Sequence, residues 1–307
     1  MKVTFILQKT MRHQLQDEPA WRSLLYVPAH VPRFVEKAAT SGADALLLDL
    51  EDSVPADRKD LARSALATTV PHLKVAGNDV LVRVNGPLQL LVPDLRAAVA
   101  ARADGVAIPK VLGASHLEAI DALLGELESE YGVAHGTTRV IAMIETPAAF
   151  EARARIARAS ARIAALMLGG GDFALHCESD ASPEVLNIPK QLLVIAARAA
   201  GVLPLGLAGT PDSLDDLDAF EQMARRSKAM GFAGATCIHP AQVPRLNRAF
   251  APSADDVQAA QVLIDAYESA RADGRGALRV GGKMVDAPVV ERARRVLARH
   301  RELLPRD

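Results

Sequence analysis

Val140-Ile-Ala-Met-Ile-Glu145-Thr146-Pro147 and Ala164-Ala-Leu-Met-Leu168-Gly169-Gly-Gly-Asp172 decide the fold. Each stretch is a short apolar run that stops on a turn, and residues 148–159 between them have the length and composition of a helix. The reading is strand, helix, strand, with Glu145 just past the carboxyl end of one strand and Asp172 just past the end of the next. Parallel neighbours lie roughly 4.8 Å apart, so the two carboxylates can reach one ion.

The same unit recurs in both directions. Apolar runs at 23–27, 45–50, 80–84, 105–108, 140–144, 165–168, 203–207 and 235–238 alternate with helix-length segments at 32–40, 58–70, 92–102, 115–131, 147–159, 183–200, 212–230 and 240–249. Pro93, Pro147 and Pro240 read as first-turn prolines, where the missing N–H costs nothing. Eight such alternations predict an α/β chain folded as a (β/α)8 TIM barrel. The competitor, a doubly wound open sheet, normally carries a Gly-rich phosphate turn after its first strand, and here that turn is Pro28-Ala29-His30. Residues 1–20 read as an N-terminal arm, 21–250 as the barrel and 251–307 as a helical C-terminal appendage, placed to serve as a lid. Gly169-Gly-Gly171 reads as a βα turn; His176 and Cys177 after it fall on a loop or short helix.

Composition narrows the function. Half of the 307 residues are hydrophobic but only 4% are aromatic, and 36 basic residues against 37 acidic ones give a net charge of −1. That balance favours neither nucleic acid nor an anionic membrane surface. Two cysteines, Cys177 and Cys237, make no disulfide framework. No run approaches the roughly 20 apolar residues of a membrane span. The expectation is a soluble cytoplasmic protein.

Charged groups crowd the strand ends: Asp49, Glu51 and Asp52; Arg83; Lys110; Glu145; Asp172. So many ionised groups at barrel strand ends need ions or partners. Glu145 and Asp172, with no His or Cys at zinc spacing, suit a magnesium ion completed by waters and substrate oxygens; helix caps or salt-bridge partners are the alternative. Gly170 and Gly171 leave backbone N–H groups open to a ligand carboxylate, or simply make a flexible turn. Arg83 fits a substrate carboxylate, or the local Asp49, Glu51 and Asp52 cluster. Lys110 could form a Schiff base, and a salt bridge is the preferred role. His239 before Pro240 reads as structural. Asp286, before Ala287-Pro288 and a last helix, is a good N-cap, and a catalytic acid only if the appendage folds over a barrel mouth.

These residues also carry a resemblance. Arg22-Ser-Leu-Leu-Tyr-Val-Pro28, the run from Gly42 to Pro55 with Asp49-Leu-Glu-Asp52 inside it, and Val82-Arg-Val-Asn85 resemble the citrate lyase beta-subunit-like proteins of the HpcH/HpaI aldolase superfamily. So do Ile108-Pro-Lys110, Ile144-Glu-Thr-Pro147, Ile238-His-Pro-Ala-Gln242 and Gly282-Lys-Met-Val-Asp-Ala-Pro288. The resemblance implies Mg2+, with Mn2+ as an alternative, on Glu145 and Asp172, with Glu51 and Asp52 near its waters, Arg83 on the substrate, and Asp286 reaching a neighbouring subunit's site on a swapped lid in a trimer or hexamer. It implies a lyase that splits a 3-hydroxyacyl-CoA, such as citramalyl-CoA, malyl-CoA or a citryl thioester, into acetyl-CoA (or the matching thioester) and a 2-oxo acid. A metal-dependent pyruvate aldolase acting on free hydroxy-keto acids and a non-catalytic subunit of a citrate lyase complex are the alternatives. Two departures bear on the substrate: Gly171 stands where the family often has an acidic residue, and Leu205-Gly-Leu207 where strand seven often ends in Asp.

Overall fold

The computed structural model describes residues 19–211, 214–272, 274 and 276–303. The expected arm at 1–20 lies almost wholly outside them. Eight parallel strands form one sheet: β1 (Ser23–Pro28), β2 (Ala45–Asp49), β3 (Asp79–Arg83), β4 (Gly105–Ile108), β5 (Arg139–Ile144), β6 (Ile163–Leu168), β7 (Leu203–Leu205) and β8 (Ala235–Cys237). Strand order is sequential, with β8 pairing back onto β1. Between β7 and β8 the ring closes through a Leu205–Gly234 bridge, with Gly206 N–H donating to Gly234 O and Ala233 N–H to Pro204 O. The sheet is therefore a (β/α)8 barrel.

The strands are legible because both their faces are buried. Leu24, Leu47, Leu81, Ala107, Ile141, Met143, Ala165, Met167, Leu203 and Leu205 fill the barrel with Trp21, whose Nε1 donates to Asp79 Oδ2 at 2.7 Å. Alternate residues such as Leu46, Leu48, Val80, Val82 and Val106 are just as buried and, by the two-residue period, turn outward to the helices.

Those helices are α1 (Pro32–Ala39), α2 (Lys59–Val75), α3 (Leu88–Ala100), α4 (Ala114–Glu130), α5 (Pro147–Glu151), α6 (Arg153–Ile156), α7 (Gly170–His176), α8 (Pro183–Ala200), α9 (Leu217–Ala229) and α10 (Val243–Phe250). Three sequence expectations change. Pro93 is inside α3, which starts at Leu88 after Pro87, not in its first turn. The single helix expected at 147–159 is two short ones that break at Ala152. Gly170 and Gly171 belong to the first turn of α7, not to a loose turn, because Gly169 takes the N-cap position. Pro147 does open its helix, behind Thr146, whose hydroxyl accepts from Ala149 N–H.

The chain divides into two compact units, the second beginning at Arg248, inside α10. The second unit contains α11 (Ala254–Ala272), α12 (Ala287–Glu302) and an antiparallel pair, β9 (Leu278–Val280) with β10 (Lys283–Val285). The appendage is thus helical with a hairpin, which the sequence reading had omitted. Gly281 and Gly282 turn that hairpin at φ +54° and +81°, a conformation other residues adopt only with strain. Ile264, Val285, Val290 and Ala293 form its own small core. Among the described residues no helix is long and apolar enough to cross a membrane.

Candidate active site

The carboxyl ends of the barrel strands carry the charged groups, as barrel geometry demands. Asp49 and Arg83 are register partners on β2 and β3, so the fold itself sets them side by side. Arg83 donates from Nε to Asp49 Oδ1 and from Nη2 to Asp49 Oδ2, both at 2.7 Å. Its Nη1 lies 3.0 Å from Glu51 Oε2 and 3.1 Å from Asp52 Oδ2, and its guanidinium stacks 4.7 Å over the Tyr26 ring. The local acidic cluster is therefore an actual partner of Arg83. Burial disfavours charge on Asp49, but hydrogen bonds and attraction from Arg83 outweigh it and hold that carboxyl low. The same pairing raises Arg83 against its own burial.

Glu145 sits differently. It is 2% exposed, and its Oε2 accepts the backbone N–H of Lys110 at 2.7 Å. Lys110 adopts φ +50° to present that N–H, and its Nζ reaches Glu51 Oε1 at 3.0 Å, the expected salt bridge. Burial pushes the Glu145 carboxyl up to about 7; the Lys110 N–H works against this, while the charges of Glu51 and Asp172 add to it. Gly169, which follows β6 where Glu145 follows β5, must be glycine: a Cβ there would lie 2.5 Å from Glu145 Cγ and Oε1. Asp172 stands in the first turn of α7 and lines the same cavity.

Among the described residues no cluster of three or more His, Cys, Asp and Glu side chains is arranged for a metal ion. Glu145 and Asp172 would offer two carboxylates, a donor set that suits a hard cation that keeps waters and takes substrate oxygens. A carboxylate raised first by burial and further by the charges of Glu51 and Asp172 is what such a cation relieves, so the residues fit Mg2+.

The cavity has a volume of about 570 Å³. Its polar lining includes Tyr26, Asp49, Asp52, Arg83, Glu145 and Asp172, with Gly170 and Gly171 beside them. Leu205, Leu207, Phe232 and Ile238 add apolar wall, together with Lys190 from α8. Tyr26 and Lys190 escaped the sequence reading. Lys190 had left a signal: it occupies the core register of α8, spaced four, three and four residues through Leu186, Leu193 and Ala197. His239 caps the turn at Pro240–Gln242, accepting from Ala241 N–H, and is structural. His176 ends α7 with Nδ1 2.8 Å from Asp172 O, and Cys177 follows, exposed. In the second unit Asp286 N-caps α12, accepting from Val289 N–H at 3.3 Å.

The model of the HpcH/HpaI aldolase/citrate lyase family matches residues 22–240. The chain belongs to that family. It is 31% identical over 286 residues to the citrate lyase subunit beta of Leuconostoc mesenteroides subsp. cremoris, covering 92% of this chain and 94% of that one. It is 35% identical over 292 residues to a (3S)-malyl-CoA thioesterase of Cereibacter sphaeroides, covering 94% and 96%. Among solved structures it is similar to the CitE protein of Mycobacterium tuberculosis in complex with magnesium, acetoacetate and coenzyme A, with a TM-score of 0.74 and 29% identity over 91% of this chain and 97% of that one. The family is thus one of citrate lyase beta subunits and related CoA-ester enzymes, and magnesium-bound structures occur within it.

Proposed function

We propose that the protein is a magnesium-dependent carbon–carbon lyase that splits a 3-hydroxyacyl thioester bearing a carboxylate into a 2-oxo acid and an acyl thioester, or joins the two. The carrying observation is Glu145, a buried carboxylate with two negative neighbours and a glycine shaped around it. Glu145 and Asp172 would hold the ion, with Mn2+ as the substitute, and Glu51 and Asp52 would face its waters. When bound, the ion supplies Lewis acidity and a template for the hydroxyl and carboxylate oxygens of the substrate.

The chain's own groups then divide the work. Arg83, fixed in orientation by Asp49, keeps a guanidinium at the cavity wall where the oxo acid gathers charge. Gly170 and Gly171 leave room for the substrate carboxylate beside Asp172. In the cleavage direction the substrate hydroxyl gives its proton to water, from which Asp286 is later reprotonated; the adjacent carbon–carbon bond breaks, and its electron pair becomes a thioester enolate. Asp286 of a neighbouring copy gives that enolate carbon a proton, and removes it in the condensing direction. Two mobile protons thus balance each turnover. This needs a homotrimer or hexamer with exchanged appendages.

A second reading, thioester hydrolysis, has support from the relatives named thioesterase. One assay separates them. Acetyl-CoA is offered with pyruvate, glyoxylate or oxaloacetate, with and without magnesium, and both the hydroxyacyl-CoA product and free thiol are measured. The lyase reading expects a magnesium-dependent hydroxyacyl-CoA with at least one acid. Thiol release without that product favours the hydrolase. Turnover only of free hydroxy-keto acids would make it a pyruvate aldolase, and no turnover without added partners a subunit of a larger lyase.

A further inference from the structure

Lys190 is 4% exposed and lines the cavity on its β7–β8 side. Its Nζ donates to the carbonyls of Ala208 at 3.2 Å and Gly209 at 3.1 Å. An ammonium has three N–H donors and no acceptor, so one donor is unspent. Among the described residues no carboxylate pairs with it, and Leu205, Leu207 and Phe232 make the nearby cavity wall apolar. Burial alone pushes the ammonium down, to about 8.

A buried cation facing two carbonyl dipoles and no counter-charge is costly. An apolar residue would fill the same register of α8 without that cost. The other cation of the cavity lining shows the contrast, for Arg83 is matched by Asp49, Glu51 and Asp52. Among the described residues Lys190 is thus a cavity-lining cation that no carboxylate matches, held beside the segment that follows β7.

We propose that Lys190 recognises a second carboxylate on the substrate, distinct from the one taken beside Glu145 and Asp172, and so sets specificity. The assignment deepens the lyase reading and rests on it. The second carboxylate belongs either to the 2-oxo acid or to the acyl arm of the thioester. Lys190 also ties α8 to the segment after β7, and a latch of that kind alone needs no substrate anion.

Two matched pairs decide, each differing by a carboxylate replaced with a methyl group. Oxaloacetate is compared with 2-oxobutyrate, using acetyl-CoA; succinyl-CoA is compared with butyryl-CoA, using glyoxylate. In one pair the wild type should prefer the carboxylate member by about tenfold or more in kcat/KM, a difference typical of one charged contact in a binding site. Lys190→Met should erase the preference through KM while sparing the methyl member, and Lys190→Arg should keep it. No preference in either pair, or a Lys190→Met loss shared equally by both members, overturns the assignment. Should Lys190→Met not fold, the wild-type preference and its retention in Lys190→Arg decide alone. Should no acid turn over, the lyase reading falls; calorimetric titration of wild type and Lys190→Met with oxaloacetate and with succinyl-CoA, in magnesium, still tests Lys190. An affinity loss of about tenfold for one of them supports it, and unchanged affinities overturn it.

Discussion

At the scale of single residues the site turns on Glu145, whose surroundings oppose its charge. Glu145→Gln keeps an acceptor for the Lys110 N–H but removes the negative end that a cation needs. A ligand that binds only the folded chain, at about 100 times its dissociation constant, stabilises it by about 2.7 kcal/mol. Urea unfolding with and without Mg2+ should show a gain of that order in wild type and none in Glu145→Gln. An equal gain in both would place the ion elsewhere. Gly169→Ala tests the same pocket from the other side. Its Cβ would require Glu145 to move, so the Mg2+ gain should vanish while the far-ultraviolet circular dichroism stays that of the wild type. Retention of the full gain would show that the carboxylate has room to shift.

At the scale of elements, the barrel is pinned at a place with no part in the chemistry. Glu128 on α4 is fully buried and receives Arg162 Nη1 at 2.6 Å and Nη2 at 2.8 Å, along with the N–H groups of Gly136 and Thr138. Burial pushes this carboxyl up, but the hydrogen bonds from Arg162 and the two backbone groups prevail and hold it at about 2, below the ordinary 4.5. A depressed carboxyl contributes stability that is complete above its unfolded value and is lost as pH falls through its folded one. The pair should therefore fade between about pH 4.5 and about pH 2. Breaking a buried pair from one side costs about 3–5 kcal/mol, so Glu128→Gln should lose that much by urea titration at pH 7. Its stability should also depend less on pH in the acid window than that of the wild type. A loss under about 1 kcal/mol would reduce the pair to the worth of a surface bridge.

The same scale explains what the sequence revealed. A parallel strand buried on both faces must be a continuous apolar run, and the first charged residue after it must sit at a barrel mouth. Asp49, Arg83, Glu145 and the strands beneath them were legible for that reason. Register then did what no single stretch can announce, setting Asp49 against Arg83 and Ile144 against Leu168, so that Glu145 and Gly169 follow side by side. Helices hid more. Gly170 and Gly171 are poor helix formers, yet they open α7, where first-turn N–H groups need no helical partner. Proline is best tolerated in a first turn, yet α3 carries Pro93 in its interior. Lys190 is flanked by Pro189 and Gln191, neighbours that do not mark a core position. Only the spacing from Leu186 to Leu193 marks it as inward.

At the scale of the whole molecule, the proposed mechanism divides the chemistry between the two compact units of the chain. Glu145 and Arg83 belong to the barrel, while Asp286 caps a helix of the second unit. If Asp286 serves its own barrel, Glu145→Gln and Asp286→Ala chains can never help one another. If it serves a neighbour's barrel in a cyclic assembly, they can. An Asp286→Ala barrel that receives the appendage of a Glu145→Gln chain has a complete site. In randomly mixed oligomers from equal co-expression, about one site in four has that pairing. Each variant alone should have lost turnover, and Asp286→Ala should still bind substrate, because the proton donor is absent and the grip on the acid is not. The co-expressed mixture should then recover about a quarter of the wild-type rate per site. A mixture as inactive as its parents, with mixed oligomers confirmed by mass spectrometry, would return Asp286 to its own barrel or to the plain role of helix cap.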